Sequence, residues 1–293
     1  METSKNWFDR NYKFLMIIPF VLLVLSLVYV GNFYSKTGDF LNKDVSLSGG
    51  TTITINGDID LTNLEEALNE KYFGDIIFRK LTDIRSEKAI AIVIETSAKP
   101  EQIKPDIEQA LGYSLTSENS STEFTDSFLS SNFYRQLGIA LILSFILMSV
   151  VIFFLFRTFI PSLAVIFAAF SDIVVPLAVI DYLGIKLSAA GIVAFLMLVG
   201  YSVDTDILLT SRVLKKPEGT VNSRIYSAFK TGIMMSLTSL LAVLPAFFIV
   251  TGLPDSFRQI FLVLALGLGA DIFNTWLMNV GIIKWYCERK NIQ

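Results

Sequence analysis

Four aspartates, Asp172, Asp204, Asp206 and Asp271, stand in stretches that are otherwise almost wholly apolar. An aspartate at the centre of a membrane helix costs about 2.5–3.5 kcal/mol on insertion scales. Several left uncompensated would cost on the order of 10 kcal/mol, comparable to the stability of a whole domain. Such acids are expected to be paired, hydrated or protonated and to face the interior of a helix bundle. A carboxylate held in that way can take up and release a proton. The structural alternative is an acid that hydrogen-bonds a neighbouring helix and only fixes packing. For Asp204 and Asp206 a second alternative is that the helix has already emerged among the lipid headgroups.

Other chemistries find little to work with. The chain holds no histidine, which removes the commonest metal ligand and general base. Its single cysteine, Cys287, allows neither a disulfide nor a cysteine-cluster metal site within one chain. No G-x-x-x-x-G-K-[ST] loop occurs, and Ser48-Gly49-Gly50 lacks both the lysine and the following helix that would cradle a phosphate. A net charge of −3 leaves no basic footprint for nucleic acid. The expectation is a protein that is not an enzyme and carries no metal and no cofactor, so any energy it uses comes from a gradient or a partner.

The acids need a scaffold, and composition says which kind. Hydrophobic residues make up 53% of the chain and charged ones 17%, against roughly 25% charged in an average soluble domain. About 20 apolar residues cross the hydrocarbon layer, and six stretches qualify: 14–31, 138–156, 159–180, 187–211, 232–250 and 259–283. The first lacks a following small-residue cleavage site, so it is expected to stay as an anchor. Arg157 and Thr158 alone separate the second and third, which predicts a tight helical hairpin. Lysine and arginine set the orientation. With the N-terminus inside, twelve fall on the cytoplasmic side (Lys5, Arg10, Lys13, Arg157, Arg212, Lys215, Lys216, Arg224, Lys230, Lys284, Arg289 and Lys290) and two in the short outer loops, Lys186 and Arg258. Both termini are therefore expected in the cytoplasm, in a multi-pass protein of the cytoplasmic membrane.

Between the first two spans lies a separate domain, residues 32–136, flanked by an N-terminal part (1–31) and a five-helix part (137–293). It carries 17 acids against 10 bases, which reads as a solvated surface. Thr51–Ile55 alternates as a strand. Leu61–Tyr72 places Leu61, Leu64 and Leu68 on one helical face, with Thr62 and Asn63 as caps. Ile76–Leu81 and Ala89–Glu95 read as strands joined by a turn containing Arg85-Ser86-Glu87, Pro100–Leu111 as a helix, and Tyr113–Thr116 as the closing strand. Ser120–Gln136 reads as a polar stalk. The order is that of a split βαβ unit. The fold class is therefore an α-helical polytopic membrane protein, six transmembrane helices with one ferredoxin-like α+β extracytoplasmic domain.

At 1.5 Å per residue, Asp271 lies about 18 Å into the sixth span, Asp172 about 20 Å from the inner end of the third, and Asp204 about 25 Å from the outer end of the fourth. Acids at different depths suit a proton path and equally a ladder of structural pairs. Small residues at four-residue spacing (Ala164 and Ala168 running on to Ser171/Asp172, Ala190 and Ala194, Ala265 and Gly269) predict that the acid-bearing faces are also the packed ones. Pro176 and Pro245 are candidate kink sites.

Motifs along nearly the whole chain resemble the SecF family, the smaller half of the SecD–SecF pair that assists protein export, in its archaeal branch. Val45-Ser46-Leu47-Ser48-Gly49-Gly50-Thr51 resembles the family's Asp-Phe-Thr-Gly-Gly-Thr element, Ser171-Asp172 its His-Asp pair, and Ser236-Leu237-Thr238-Ser239-Leu240-Leu241 its Ser-Leu-Thr-Thr-Leu-Leu. Gly200-Tyr201-Ser202-Val203-Asp204-Thr205-Asp206, closing at Arg212, is similar to Gly-Tyr-Ser-Ile-Asn-Asp-Thr. There are departures. The bacterial aspartate falls opposite Thr205, and similarity to the Asp-Ala-Asn of SecD would place the key acid at Asp204. Ser171 stands for the histidine, and Thr231 with Lys230 beside it for a helix-five arginine. The resemblance implies a resistance-nodulation-division bundle completed by a SecD-like subunit, which places the internal repeat in the partner. It also implies proton passage that moves the outer domain, and as partners a SecY-type translocon, an exported unfolded polypeptide and membrane lipid. Asp204, Asp206, Asp172 and Asp271 are the candidate ion-coupling residues, with Ser171, Thr205, Lys230 and Arg212 supporting. Two alternatives stay open: a half-size transporter of the same superfamily for a lipid or small molecule, and a translocon scaffold that uses no gradient.

Overall fold

Backbone polar groups find no partner in hydrocarbon, so runs this apolar cross it only as helices, and each of the six forms one. The structure, a computed structural model, describes residues 7–57, 59–72, 75–82, 89–215, 219–249 and 255–292. The side chains of Trp7, Asp9, Thr62, Asn63, Thr82, Asp255 and Ser256 also lie outside that description. The expected Thr62 and Asn63 caps, the turn at Arg85-Ser86-Glu87, and Lys5 and Lys216 are therefore outside the described residues.

In chain order the elements are α1 (Trp7–Thr37), α2 (Val45–Ser48), β1 (Gly50–Asn56), α3 (Leu61–Tyr72), β2 (Ile76–Thr82), β3 (Ala89–Thr96), α4 (Pro100–Leu111), β4 (Ser120–Thr125) and α5 (Ser127–Phe156). There follow α6 (Phe159–Tyr182), α7 (Ala189–Lys215), α8 (Val221–Ile249), α9 (Asp255–Phe273), a π-helical turn (Asn274–Asn279) and α10 (Val280–Arg289). The last three make one continuous span, Phe257–Arg289, the sixth long enough to cross a membrane. Arg157 makes the tight turn between α5 and α6 with a left-handed backbone, φ 52°.

The sheet domain has strand order β2-β3-β1-β4, every neighbour antiparallel. Ile53, Ile55, Ile92 and Ile94 share one face and pack in a single core with Leu64 and Leu68 of α3 and Ile103 and Ile107 of α4. Ile77 and Arg79 of β2 lie on the opposite face, which among the described residues carries no helix of the domain. The closing strand is not Tyr113–Thr116. That stretch is irregular, and Leu115 drops from it into the core. Ser120–Thr125 closes the sheet instead, pairing with β1. Its side chains are mostly exposed, so this edge strand lacks the alternation that marks a half-buried one. The expected stalk is accordingly the end of the sheet and the start of α5, whose first turn is capped by the Asp126 carboxylate accepting from Phe128 N at 2.8 Å.

In the bundle, burial is concentrated in three spans. It reaches 61% in α6, 56% in α7 and 50% in the last span, against 22% in α1 and 11% in each of α5 and α8. The three central spans are those that carry the acids. Ala164, Ala168 and Ala194 are buried as their spacing predicts. On α9 the close approach is at Gly267, where a Cβ would stand 2.2 Å from Leu198 Cδ2, while Gly269 has nothing within 4 Å.

A clasp joins the two parts. Leu187 N donates to Asn42 O (2.6 Å), Asp44 N to Leu187 O (3.0 Å) and Asn42 N to Asp181 Oδ1 (3.2 Å). Ser46 Oγ accepts from Ala189 N (3.0 Å), and so caps the first turn of α7. Asp44 caps α2, accepting from Ser46 N at 2.9 Å; burial pushes its carboxyl up, a trend opposed by the bonds from Ser46. Leu47 fills the end of the bundle core beside Ile180, Leu187 and Phe195. The chain then turns into β1 through Gly49 (φ 83°) and Gly50 (φ 139°), where a Cβ would lie 2.5 Å from Ser127 Cα and 2.2 Å from Thr96 O. Only glycine fits that backbone and that space.

Candidate functional site

Asp172 on α6, Asp206 on α7 and Asp271 on α9 are 0%, 0% and 1% exposed and meet in one hydrogen-bonded network. Asp172 accepts from Ser202 Oγ through Oδ2 and from Asn274 Nδ2 (2.6 Å) through Oδ1. Asp206 Oδ1 accepts from Asn279 Nδ2 (2.6 Å) and Thr275 Oγ1 (2.8 Å), while its Oδ2 is buried with no hydrogen-bond partner. Asp271 is ringed by hydroxyls: Thr205 Oγ1 at 3.0 and 3.1 Å, Thr275 Oγ1 at 3.1 Å and, from α8, Ser236 Oγ at 3.1 Å.

The donors are too few for the contacts. Thr275 has one hydroxyl proton and lies within bonding distance of both Asp206 and Asp271. Thr205 has one proton for Ser202 O and both oxygens of Asp271. A proton on one carboxyl closes this gap, since a carboxylic acid is a donor where a carboxylate only accepts. Among the described residues no lysine or arginine makes an ion pair with any of the three acids. Nor do three acids converge closely enough to hold a metal ion. The arrangement suits a shared, movable proton: buried acids joined by hydroxyl bridges and, among the described residues, without an ion-pair partner.

The remaining sequence candidates divide. Thr205 belongs to the network. Ser171 is buried beside Asp172 with its hydroxyl unpartnered. Asp204, which the SecD-like pattern favours, is outside the network: two residues turn a helix by about 200°, so it is exposed on the flank opposite Asp206. It lies on one stripe with Val193, Met197 and Tyr201, all at least 40% exposed. Arg212 does not reach the acids. Its Nη1 donates to Ser227 O (2.7 Å) and Oγ (2.9 Å) on α8. Lys230 is exposed and touches none of the three.

Five members of the network, Ser202, Ser236, Asn274, Thr275 and Asn279, are not among the sequence candidates, although for those on the last span the signal is present. Asp271, Thr275 and Asn279 recur every four residues through an apolar run. In a regular α-helix that spacing drifts round the axis by about 40° per step. The wider π turn at Asn274–Asn279 takes the drift back and keeps all three on one face. Such turns are frequent at functional sites.

Residues 107–289 match the family described as protein export membrane protein SecD/SecF, C-terminal. The chain is 38% identical over 286 residues to the protein-export membrane protein SecF of Methanothermobacter thermautotrophicus, covering 95% of this chain and 94% of that one. The SecF of Methanocaldococcus jannaschii is also 38% identical, with 94% and 96% covered. In fold the chain is similar to the crystal structure of SecDF, a translocon-associated membrane protein from Thermus thermophilus, at a TM-score of 0.74 and 17% identity. That likeness takes in 97% of this chain and 39% of the SecDF chain, so this chain spans about two-fifths of the SecDF length. The chain belongs to the SecD/SecF family of protein-export membrane proteins, on its SecF branch.

Proposed function

We propose that this chain is an auxiliary subunit of the Sec export machinery that pairs with a SecD-like subunit in the cytoplasmic membrane and uses a proton gradient to assist polypeptide passage. It is a transport component and not an enzyme. Both termini are cytoplasmic in this reading. Residues 32–136 stand on the far side as a ferredoxin-like domain, which the strand order and the two helices on one face support, between an N-terminal part of residues 1–31 and a bundle of residues 137–293. The domain handles unfolded polypeptide emerging from a SecY-type translocon.

The observation that carries the proposal is the donor shortage round Asp206 and Asp271. A proton arriving there turns an acceptor into a donor and removes one of three like charges. Side chains from α7, α8, α9 and the π turn meet at that point, with Asp172 of α6 joined on through Ser202 and Asn274, so their mutual attraction changes with each proton loaded or released. Pairing has separate support from the exposed stripe on α7. An aspartate facing hydrocarbon costs about 2.5–3.5 kcal/mol, and a neighbouring bundle laid against Asp204 removes that cost.

The test is translocation into vesicles that hold this chain, its SecD-like partner and the translocon, with a proton gradient or a sodium gradient imposed separately. Stimulation by the proton gradient that vanishes in Asp271→Asn, at normal co-purification, is the expected result. Equal translocation with and without either gradient would return the scaffold reading.

A further inference from the structure

Lys186, in the connection between α6 and α7, and Arg258, in the first turn of α9, are basic residues at the sheet-domain end of the bundle. The fold brings both to one cavity of about 650 Å³ and adds Arg79 from the helix-free face of the sheet. Leu183, Ile185, Phe247 and Leu262 supply apolar wall from the ends of α6, α8 and α9 and the connection after α6. Among the described residues no acid lines it.

The basic groups are held in position. The Arg258 guanidinium lies over the Phe247 ring, 4.7 Å from its centre. Gln259, 7% exposed, donates to Lys186 O (2.9 Å) and accepts from Ser188 N (2.7 Å), which fixes the connection carrying Lys186 to the start of α9. Arg79 is steadied from behind by Glu95, Nη2 to Oε2 at 2.5 Å. Arg79 and Glu95 balance, so Lys186 and Arg258 leave the cavity cationic.

The place of the cavity selects its occupant. Its apolar wall belongs to the ends of membrane-spanning helices, and its charged rim lies where those helices give way to the sheet domain. An amphiphile with an anionic head fits that order of surfaces, whereas a wholly soluble anion leaves the apolar wall unused. The domain above is acidic, 17 acids against 10 bases, so its net charge is repelled by an anionic membrane surface while this basic spot attracts one.

We propose that this cavity binds the anionic phosphodiester headgroup of a membrane lipid. Lys186 and Arg258 take the phosphate, and the chains run along Phe247 and Leu262. The lipid then becomes a third contact between sheet domain and bundle, beside the covalent connections and the clasp.

Native mass spectrometry of the full chain tests this, offering phosphatidylglycerol and phosphatidylcholine of identical acyl chains together. Preferential retention of phosphatidylglycerol is expected, with Lys186→Gln/Arg258→Gln binding it about thirty-fold more weakly. Lys186→Arg/Arg258→Lys, which keeps the charges, should hold the preference, as should Lys13→Gln/Lys290→Gln elsewhere on the chain. Equal retention of the two lipids, or an undiminished preference in the glutamine variant, would overturn the proposal. So would displacement of phosphatidylglycerol by an equal concentration of glycerol phosphate or of an acidic peptide, which would mark a site for soluble anions.

Discussion

Replacing Asp206 by asparagine keeps the shape of the side chain and removes its capacity to carry a charge or a proton. In the native network Oδ1 receives Asn279 Nδ2 at 2.6 Å and Thr275 Oγ1 at 2.8 Å. Bonds to a charged group are worth about 1.5–3 kcal/mol each and neutral ones about 0.5–1.5, so the exchange loses roughly 2–3 kcal/mol over the pair. The new amide also sets a donor where Oδ2 now lies unpartnered, a further cost of about 1–3 kcal/mol. Against these stands relief from burying a carboxylate with no basic partner, an effective penalty of several kcal/mol. The contributions offset to within about 2 kcal/mol, so the variant should fold, insert and co-purify with its partner. Its transport should not survive in coupled form. In the vesicle assay the rate with a proton gradient should fall to the rate seen after a protonophore, while the uncoupled rate stays as it was. Asp204→Asn, on the outer flank, should keep the stimulation. A normally assembled Asp206→Asn protein that still answers the gradient would refute the assignment of proton exchange to this network.

Thr275→Val removes the hydroxyl shared by Asp206 and Asp271. Thermal unfolding in detergent should show a loss of about 1–3 kcal/mol, restored in Thr275→Ser, and wild-type stability in the valine variant would count against the bridge. Gly49→Ala forces a Cβ to 2.5 Å from Ser127 Cα at φ 83°. Strain and overpacking together should cost about 2–6 kcal/mol, against about 1–2 kcal/mol for Gly38→Ala, whose φ is similar but whose surroundings are open; equal melting shifts would remove the packing argument. In the sheet domain, hydrogen bonds from Lys71 (2.6 Å) and Tyr72 (2.6 Å) hold the Asp106 carboxyl below the usual carboxylate range, and burial with the Asp106 bond pushes the Tyr72 hydroxyl up to about 12. The stability from Asp106 is therefore present above the ordinary aspartate range and lost as pH falls through the depressed value. At this exposed site it amounts to no more than about 1 kcal/mol. Amide protection across α3 and α4, taken relative to the intrinsic exchange rate at each pH, should fall on acidification in the wild type and less so in Asp106→Asn; identical acid responses would contradict it.

The six spans and most of the sheet domain could be read from the chain because each announces itself by repetition. Apolar runs of span length have few other uses, and Leu61–Tyr72 and Pro100–Leu111 form helices over the very residues expected. β4 escaped notice for the converse reason: Ser120–Thr125 is an edge strand with polar residues on both faces, so its pairing with β1 leaves no periodic trace. The network was half visible. Their apolar surroundings in the sequence made all four aspartates conspicuous, and depth along each helix followed from residue count alone. Azimuth did not, because it depends on which neighbours a helix meets. That is why Asp204 and Asp206, two residues apart, could not be told apart until α7 was seen against α6 and α9. The polar partners on the last span were hidden by an assumption of regular helix, under which Asp271, Thr275 and Asn279 spiral away from one another.

The cap that Ser46 places on α7 has a mechanical consequence. An α-helix is stiff along its axis, and Asp206 lies seventeen residues below Ala189, about 26 Å, so a slide or tilt of α7 reaches Ser46 undiminished. Between Ser46 and β1 stand only Leu47, anchored in the bundle core, Ser48 and Gly49, which is wedged against Ser127, and β1 itself opens on Gly50, wedged against Thr96. The sheet domain is thus mounted on the acid-bearing helix like a pointer on its spindle, without play. A few flexible residues inserted after Ser48 would leave both halves folded and let the spindle turn while the pointer stands idle.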